Sequence, residues 1–238
     1  MIETSEAVCD ICGGSGWREV EPRRMGPCGC REERRRVQRF AAAHIPARYA
    51  GCTLDHFHDR GHGPLVRARR RVAEFVECWP AFDRGLLLMG PPGVGKTHLA
   101  VAALQEIIGL GKPGKMRFSN FQDLIQEIHA SFSSDQTPSK FEILQPVLEA
   151  DLLVLDELGS QKPTSFVQDT LYYIINSRYN EARATIFTSN YYDERPREGG
   201  EILEERIGRA LRSRLFEMTE RVVIDSDDYR KVVKARTI

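Results

Sequence analysis

The sequence predicts an α/β fold built on a parallel sheet, and two observations predict it. From Gly85 onward, short apolar runs alternate with segments of helical period, the pattern of strands joined by crossover helices. The first run, Leu86–Met89, leads directly into Gly90-Pro91-Pro92-Gly93-Val94-Gly95-Lys96-Thr97 and then an amphipathic stretch, His98–Ile108. That octapeptide matches G-x-x-x-x-G-K-[ST] at every specified position, in the strand–loop–helix context that gives the motif its meaning.

The elements follow in order. Strands are expected at Leu86–Met89, Met116–Ser119, Leu152–Asp156, Ala184–Thr188 and Arg221–Asp225. Helices are expected at Lys96–Ile108, Phe121–Phe132, Lys140–Leu148, Phe166–Glu181 and Glu201–Phe216, with a short one from Asp228. Ser131–Ser139 is polar, contains a proline and reads as a loop. Ahead of the sheet, residues 31–84 are helix-like and basic, interrupted by a Gly/His/Pro loop over Asp55–Pro64. Residues 1–30 are rich in Gly and Cys and carry almost no apolar periodicity.

The octapeptide needs its residue types for phosphate chemistry. Gly90, Gly93 and Gly95 let the backbone turn tightly with N–H groups aimed inward. A helix starting near Lys96 adds the positive end of its dipole. Lys96 reaches the β- and γ-phosphates as a point charge, and the Thr97 hydroxyl ligates Mg²⁺. ATP is therefore expected against Gly90, Pro91, Pro92, Gly93, Val94, Gly95, Lys96, Thr97 and His98.

Residues 151–157 read Asp-Leu-Leu-Val-Leu-Asp-Glu, a buried strand ending in two acids. In this position after the loop, Asp156 would hold Mg²⁺ and Glu157 would orient and deprotonate the attacking water. A β-branched, apolar run closes on Asn190, which should lie at the carboxyl end of a neighbouring strand, the edge where open α/β sheets bind ligands. Asn is also a common strand-terminating turn residue. Downstream, Arg206, Arg209, Arg212 and Arg214 form either a solvated basic face or the source of an arginine acting on a neighbour's γ-phosphate.

Composition narrows the classes. Lys plus Arg and Asp plus Glu both number 34, so no global field favours nucleic acid or a membrane surface. Two local runs break the balance, Arg31 to Arg39 and Arg67 to Arg71; each reads as a solvated helix face or a phosphate-contacting surface. The start of the chain lacks a signal-peptide pattern, and no apolar run nears the roughly 20 residues of a membrane span. A cytoplasmic protein is expected.

Six cysteines in such a chain argue for metal or buried thiols rather than disulfides. Cys9-x-x-Cys12 and Cys28-x-Cys30, with fifteen residues between the pairs, supply the four soft ligands of tetrahedral zinc. Cys9–Gly16 also resembles one half of the zinc repeats of DnaJ-type chaperones. The metal would be structural and would stabilise a segment with too few apolar residues to fold alone. Cys52 and Cys78 read as ordinary thiols, and His56, His58 and His62 as solvent-exposed rather than metal-binding.

The series Gly90–Thr97, Leu152–Gly159, Thr185–Asn190, Ser213-Arg214-Leu215 and Asp228-Tyr229-Arg230 resembles the AAA+ ATPases of the DnaC/DnaI helicase-loader and IstB transposition-helper group. Ile45-Pro46-Ala47-Arg48-Tyr49, with Thr53-Leu54 and Phe57, resembles the stretch these proteins carry before their core. The resemblance implies a P-loop AAA+ core, a five-stranded parallel sheet between helices without a C-terminal lid. It makes Asn190 the sensor-1 residue, Arg214 rather than Arg209 the trans arginine finger, and Arg230 a sensor-2-like arginine. It also implies that the helical segment between Phe121 and Leu148 contacts single-stranded DNA.

Three regions are then expected: 1–45, zinc-binding and partner-docking; 46–84, a linker and helix leading into the core; and 85–238, the ATPase domain. The function implied is an ATP-hydrolysing loader of the replicative DNA helicase that binds single-stranded DNA and forms a homo-oligomer with ATP or partner. An IstB-like transposition helper is the first alternative, and a nucleotide-dependent interaction switch with negligible turnover the second.

Overall fold

The computed structural model describes residues 8–81, 84–132, 138–196 and 199–229. Two strands form an N-terminal hairpin, β1 (Trp17–Glu21) and β2 (Arg24–Pro27), followed by helix α1 (Gly29–Ala42). A 3₁₀ turn (Ala47–Tyr49) and α2 (Gly63–Cys78) lead into the core. The core then runs β3 (Gly85–Met89), α3 (Lys96–Gly109), β4 (Met116–Asn120), α4 (Phe121–Ser131), α5 (Lys140–Glu149), β5 (Leu152–Asp156) and α6 (Ser165–Asn180). It closes with β6 (Ala184–Ser189), α7 (Leu203–Ile207), α8 (Arg209–Met218) and β7 (Thr219–Val223).

The five core strands are parallel in the order β4-β5-β6-β3-β7. The strand before the glycine loop is thus interior, paired with β6 on one side and β7 on the other. Its residues Leu86–Met89 are all buried, as are Leu152–Asp156 of β5, which explains why both read as continuous apolar runs. Alternate side chains split between two layers. Leu86, Leu88, Leu152 and Val154 pack toward α2 and α3, while Leu87, Met89, Leu153 and Leu155 pack toward α4 to α8.

Local chemistry sets the helix starts. The Asn120 side chain caps α4, accepting from the N–H groups of Gln122 (2.9 Å) and Asp123 (3.3 Å). Ser139 and Glu142 form a reciprocal capping box on α5, and Thr164 caps α6. Arg178 of α6 is completely buried, and its guanidinium donates to Thr185 Oγ1 and to the carbonyls of Val147, Leu148, Ala150 and Ala184. Burial lowers its pKa to about 9, and the carbonyls it gathers include those at the C-terminal end of α5.

Two expectations need correcting. The helix expected over Glu201–Phe216 is two helices, because Gly208 (φ 84°, ψ 153°) is extended in the region glycine favours and interrupts the helical bonds. The last strand lies two residues earlier than Arg221–Asp225. The hairpin β1–β2 was not foreseen. The short helix expected from Asp228, and Arg230 with it, fall at and beyond the end of the described residues.

Helix α1 contributes no buried residue of its own but lies against α3 and β4. Its base joins the core. The Ala43 carbonyl accepts the Phe118 N–H of edge strand β4 (2.8 Å), Ala43 is fully buried, and Phe40 and Ile45 pack beside it.

Candidate functional site

At the carboxyl ends of β3, β5 and β6 lies a cleft of about 790 Å³. Its floor is the glycine loop from Pro92 to Thr97 with His98, its far wall Glu157, Thr188 and Asn190. The sheet order makes this convergence possible, since β6 separates β5 from β3 and brings Asn190 between the acids and the loop.

Three glycines are required by close approach. A Cβ on Gly90 would stand 2.1 Å from the Ile224 carbonyl, on Gly93 1.8 Å from the Asp228 carboxylate, and on Gly95 2.6 Å from the Phe57 ring. All three have positive φ. Gly90 and Pro91 lie behind the cleft floor, where their carbonyls each accept the Lys96 ammonium at 2.8 Å. His98 Nε2 donates to the Thr53 carbonyl (2.8 Å), and burial lowers the imidazole's pKa.

Asp156 is buried, and its Oδ1 accepts the hydroxyls of Thr97 (2.8 Å) and Thr188 (2.6 Å). Its Oδ2 has no hydrogen-bond partner among the described residues. Burial raises its pKa, against the two threonine hydrogen bonds that lower it. A desolvated carboxylate with one orphaned oxygen beside a threonine hydroxyl fits a hard divalent cation such as Mg²⁺, which takes oxygen ligands. Thr97 and Asp156, paired in the sequence reading, are thus in contact.

Glu157 adopts φ 61°, uncommon for a residue with a side chain, which turns it from the strand into the cleft. Its N–H donates to Thr188 Oγ1 (3.0 Å), and its Oε2 accepts from Asn120 Nδ2 (3.2 Å). Thr188 therefore ties the two acids together. Neither Thr188 nor Asn120 was singled out in the sequence. Asn120 gave only a capping signal, an Asn between a strand and a helix.

The near side of the cleft comes from outside the core, through Arg48, Tyr49, Phe57, His58 and Arg60, and from the tail, through Ser226, Asp227 and Tyr229. Tyr229 donates its N–H to the Gly93 carbonyl (3.1 Å). Its ring stacks near His58 (6.3 Å, 26°), and the Arg60 guanidinium lies 5.1 Å from its centre. His56, His58 and His62 are exposed, as expected, yet all three line the cleft mouth. Arg214 does not line it and lies on α8 over Tyr172.

A second site gathers at the base of the hairpin. The Sγ atoms of Cys9, Cys12, Cys28 and Cys30 all lie within 4.8 Å of one another, with Cys9 to Cys28 at 3.8 Å and Cys12 to Cys30 at 3.4 Å. Four thiolates about 2.3 Å from a tetrahedral zinc would stand about 3.8 Å apart, so the set fits that ion. The Gly16 N–H donates to Cys12 Sγ (3.3 Å) and does most to lower its pKa to about 6. Contact with Cys12 pushes Cys30 up to about 12. Cys12 and Cys30, in contact, thus resist ionising together, a conflict a divalent cation resolves. Cys28 caps α1 and Cys30 lies in its first turn, so the cluster also faces the positive end of that helix. Cys52 and Cys78 stand apart as free thiols.

No helix among the described residues is long and apolar enough to cross a membrane.

The chain resembles known proteins over most of its length. It is 31% identical over 157 residues to a putative insertion sequence ATP-binding protein of Sinorhizobium fredii, covering 66% of this chain and 50% of that one. It is 28% identical over 145 residues to the replicative helicase loader DnaC of Buchnera aphidicola, covering 60% of this chain and 56% of the relative. The chain therefore spans about half the length of these two curated relatives. A crystal structure of the DnaC helicase loader superposes with a TM-score of 0.64 at 34% identity, covering 75% of this chain and 99% of that one. The family model described as IstB-like ATP binding protein matches residues 29–237. With the P-loop α/β core and its nucleotide cleft in place, the chain belongs to the IstB-like ATP-binding protein family.

Proposed function

We propose that this chain is an ATP-hydrolysing loader of the replicative DNA helicase. The observation that carries the reading is its 34% identity to a solved helicase loader across 99% of that protein's chain. In this reading Lys96 holds the β- and γ-phosphates, while Thr97 and Asp156 hold Mg²⁺. Glu157 is the base that activates water, Asn190 contacts the γ-phosphate or the lytic water, and Arg230 has the role of the sensor-2-like arginine. Arg214 serves the ATP of an adjoining copy. Residues 1–45 are the zinc-bearing docking arm, 46–84 join it to the core, and 85–238 are the ATPase domain.

Single-stranded DNA is assigned to the end of α4. Phe132 is exposed there, Phe166 meets Phe132 edge-on and His129 at a tilt with the Lys140 ammonium over its ring, and Phe141, next to Lys140 in the chain, is exposed as well. Aromatic faces with a cation beside them suit unpaired bases and their phosphates.

The family match and the Sinorhizobium relative favour a second reading, a transposition helper. Loading assays with full-length chain, the replicative helicase of the source cell and protein-coated single-stranded circles decide between them. ATP-dependent deposition of helicase is expected. No deposition, with ATP-dependent capture of a transposase instead, would replace the loader by the helper. Absence of ATP turnover with and without oligo(dT) would leave only an interaction switch.

A further inference from the structure

The four arginines of the α7–α8 region are not equivalent. Arg206 gives its guanidinium to the carbonyls of Gly159, Ser160 and Gln161 and pairs with Glu201. Arg212 is held between Asp193 and Glu204 and lies over Phe216. Both are committed to holding loops in place. Arg209 stands exposed at the first residue of α8.

Arg214 differs from these. Among the described residues no carboxylate forms an ion pair with it. Its guanidinium rests instead on Tyr172 of α6, 5.1 Å from the ring centre, with one nitrogen 3.4 Å from the phenol oxygen. Tyr172 and its neighbour Tyr173 are both over 40% exposed, and neither Tyr172 nor Arg214 lines this chain's own nucleotide cleft.

We propose that Tyr172 is the positioning residue for Arg214, holding the guanidinium ready for the ATP of an adjoining copy of this chain. The inference rests on the reading of Arg214 as the arginine that acts in trans. Its physical basis is the kind of partner Arg214 has. A carboxylate would neutralise the cation and would have to be displaced before a phosphate was met. A free arginine would lose its rotamer freedom at the moment of docking. An aromatic face restricts the side chain while leaving its charge and most of its donors available. Tyr172 thus narrows the search for the γ-phosphate without competing with it.

The test measures turnover per chain against total protein concentration, with ATP, Mg²⁺ and oligo(dT), so that assembly appears as a rise in specific activity. Tyr172→Ala is expected to lower kcat in the assembled state about two- to fivefold with KM for ATP unchanged, the scale of one exposed cation–π contact. Tyr172→Phe, which keeps the ring, should remain near wild type. Adding Glu157→Gln chains, which keep Tyr172 and Arg214 but do not hydrolyse, should restore turnover at the Tyr172→Ala sites beside them. The Glu157→Gln, Tyr172→Ala double variant should not restore it. A Tyr172→Ala chain with wild-type turnover, or one that Glu157→Gln chains fail to rescue, overturns the positioning role. Sedimentation of the same mixtures must show equal assembly; a Tyr172→Ala defect explained by lost assembly also overturns it. Arg214→Ala distinguishes the parent reading: undiminished assembly-dependent turnover in that variant removes the trans arginine itself.

Discussion

Asn120 holds Glu157 with the same amide that caps a helix. Its Nδ2 donates to Glu157 Oε2 at 3.2 Å, while its Oδ1 accepts the first free N–H groups of α4. The helix bearing the exposed Phe132 end and the carboxylate assigned to water activation therefore share one side chain.

That sharing predicts a separation of effects. Asn120→Ala should cost about 1 kcal/mol of stability through the lost cap, and it should free Glu157. Turnover with and without oligo(dT) should then converge. Asn120→Asp keeps the helix cap but sets a second carboxylate against Glu157, so the repulsion should offset part of the cap's contribution while the DNA dependence is still lost. An Asn120→Asp chain with an unchanged response to oligo(dT) would show that the contact carries no control.

Asp156 makes a prediction about stability and pH. Its pKa is raised in the folded chain by burial. The folded state therefore holds the proton more tightly than the unfolded chain, and stability falls as pH rises from the ordinary carboxylate pKa through the raised one. At neutral pH the ionised form is a cost in the nucleotide-free protein. Asp156→Asn should then melt at the same temperature or higher without ligand, and should lose the rise in melting temperature that Mg²⁺ and ATP give the wild type. Thermal melts at pH 4 and pH 7.5 with and without Mg-ATP check both parts; an equal ligand-induced rise in the variant removes Asp156 from the metal site.

Tyr229 joins the tail to the mouth of the cleft through His58, Arg60 and the Gly93 carbonyl. Tyr229→Ala should release a fluorescent ATP analogue about two- to tenfold faster, with association little changed, on the scale of one or two aromatic contacts. Stopped-flow displacement gives both rates. An unaltered release rate means the ring is only a neighbour of the nucleotide.

The four cysteines should bind one zinc per chain, measurable by atomic emission. Cys28→Ser should lose the metal and the order of the hairpin and the first turn of α1, read by hydrogen exchange, while ATP affinity survives. Well under one zinc in protein purified without chelators would falsify the four-thiolate site.

Much of this was legible in the chain, and the reasons differ by element. Strands β3 and β5 read correctly because they are buried on both faces and so appear as unbroken apolar runs. Lys96, Thr97, Asp156, Glu157 and Asn190 come together because each ends or follows such a run. The break at Gly208 stayed hidden, since Leu203, Ile207, Leu211 and Leu215 keep a four-residue spacing straight across it. The hairpin gave no alternation because nearly all its residues are exposed. Asn120 was missed for another reason: its second contact is 37 positions away, beyond any local pattern.

The Ala43–Phe118 hydrogen bond bears on how the protein can be dissected. Strand β4 is the outer strand of the sheet on that side, and the backbone just after α1 occupies its free N–H. Outer strands with open donors recruit other chains edge to edge. Cutting at residue 45 to obtain a minimal ATPase would uncap that edge and take the buried Ala43 out of the core. A fragment starting there should precipitate or form mixed oligomers where the full chain stays dispersed, so truncations meant to isolate the engine are better begun ahead of Phe40.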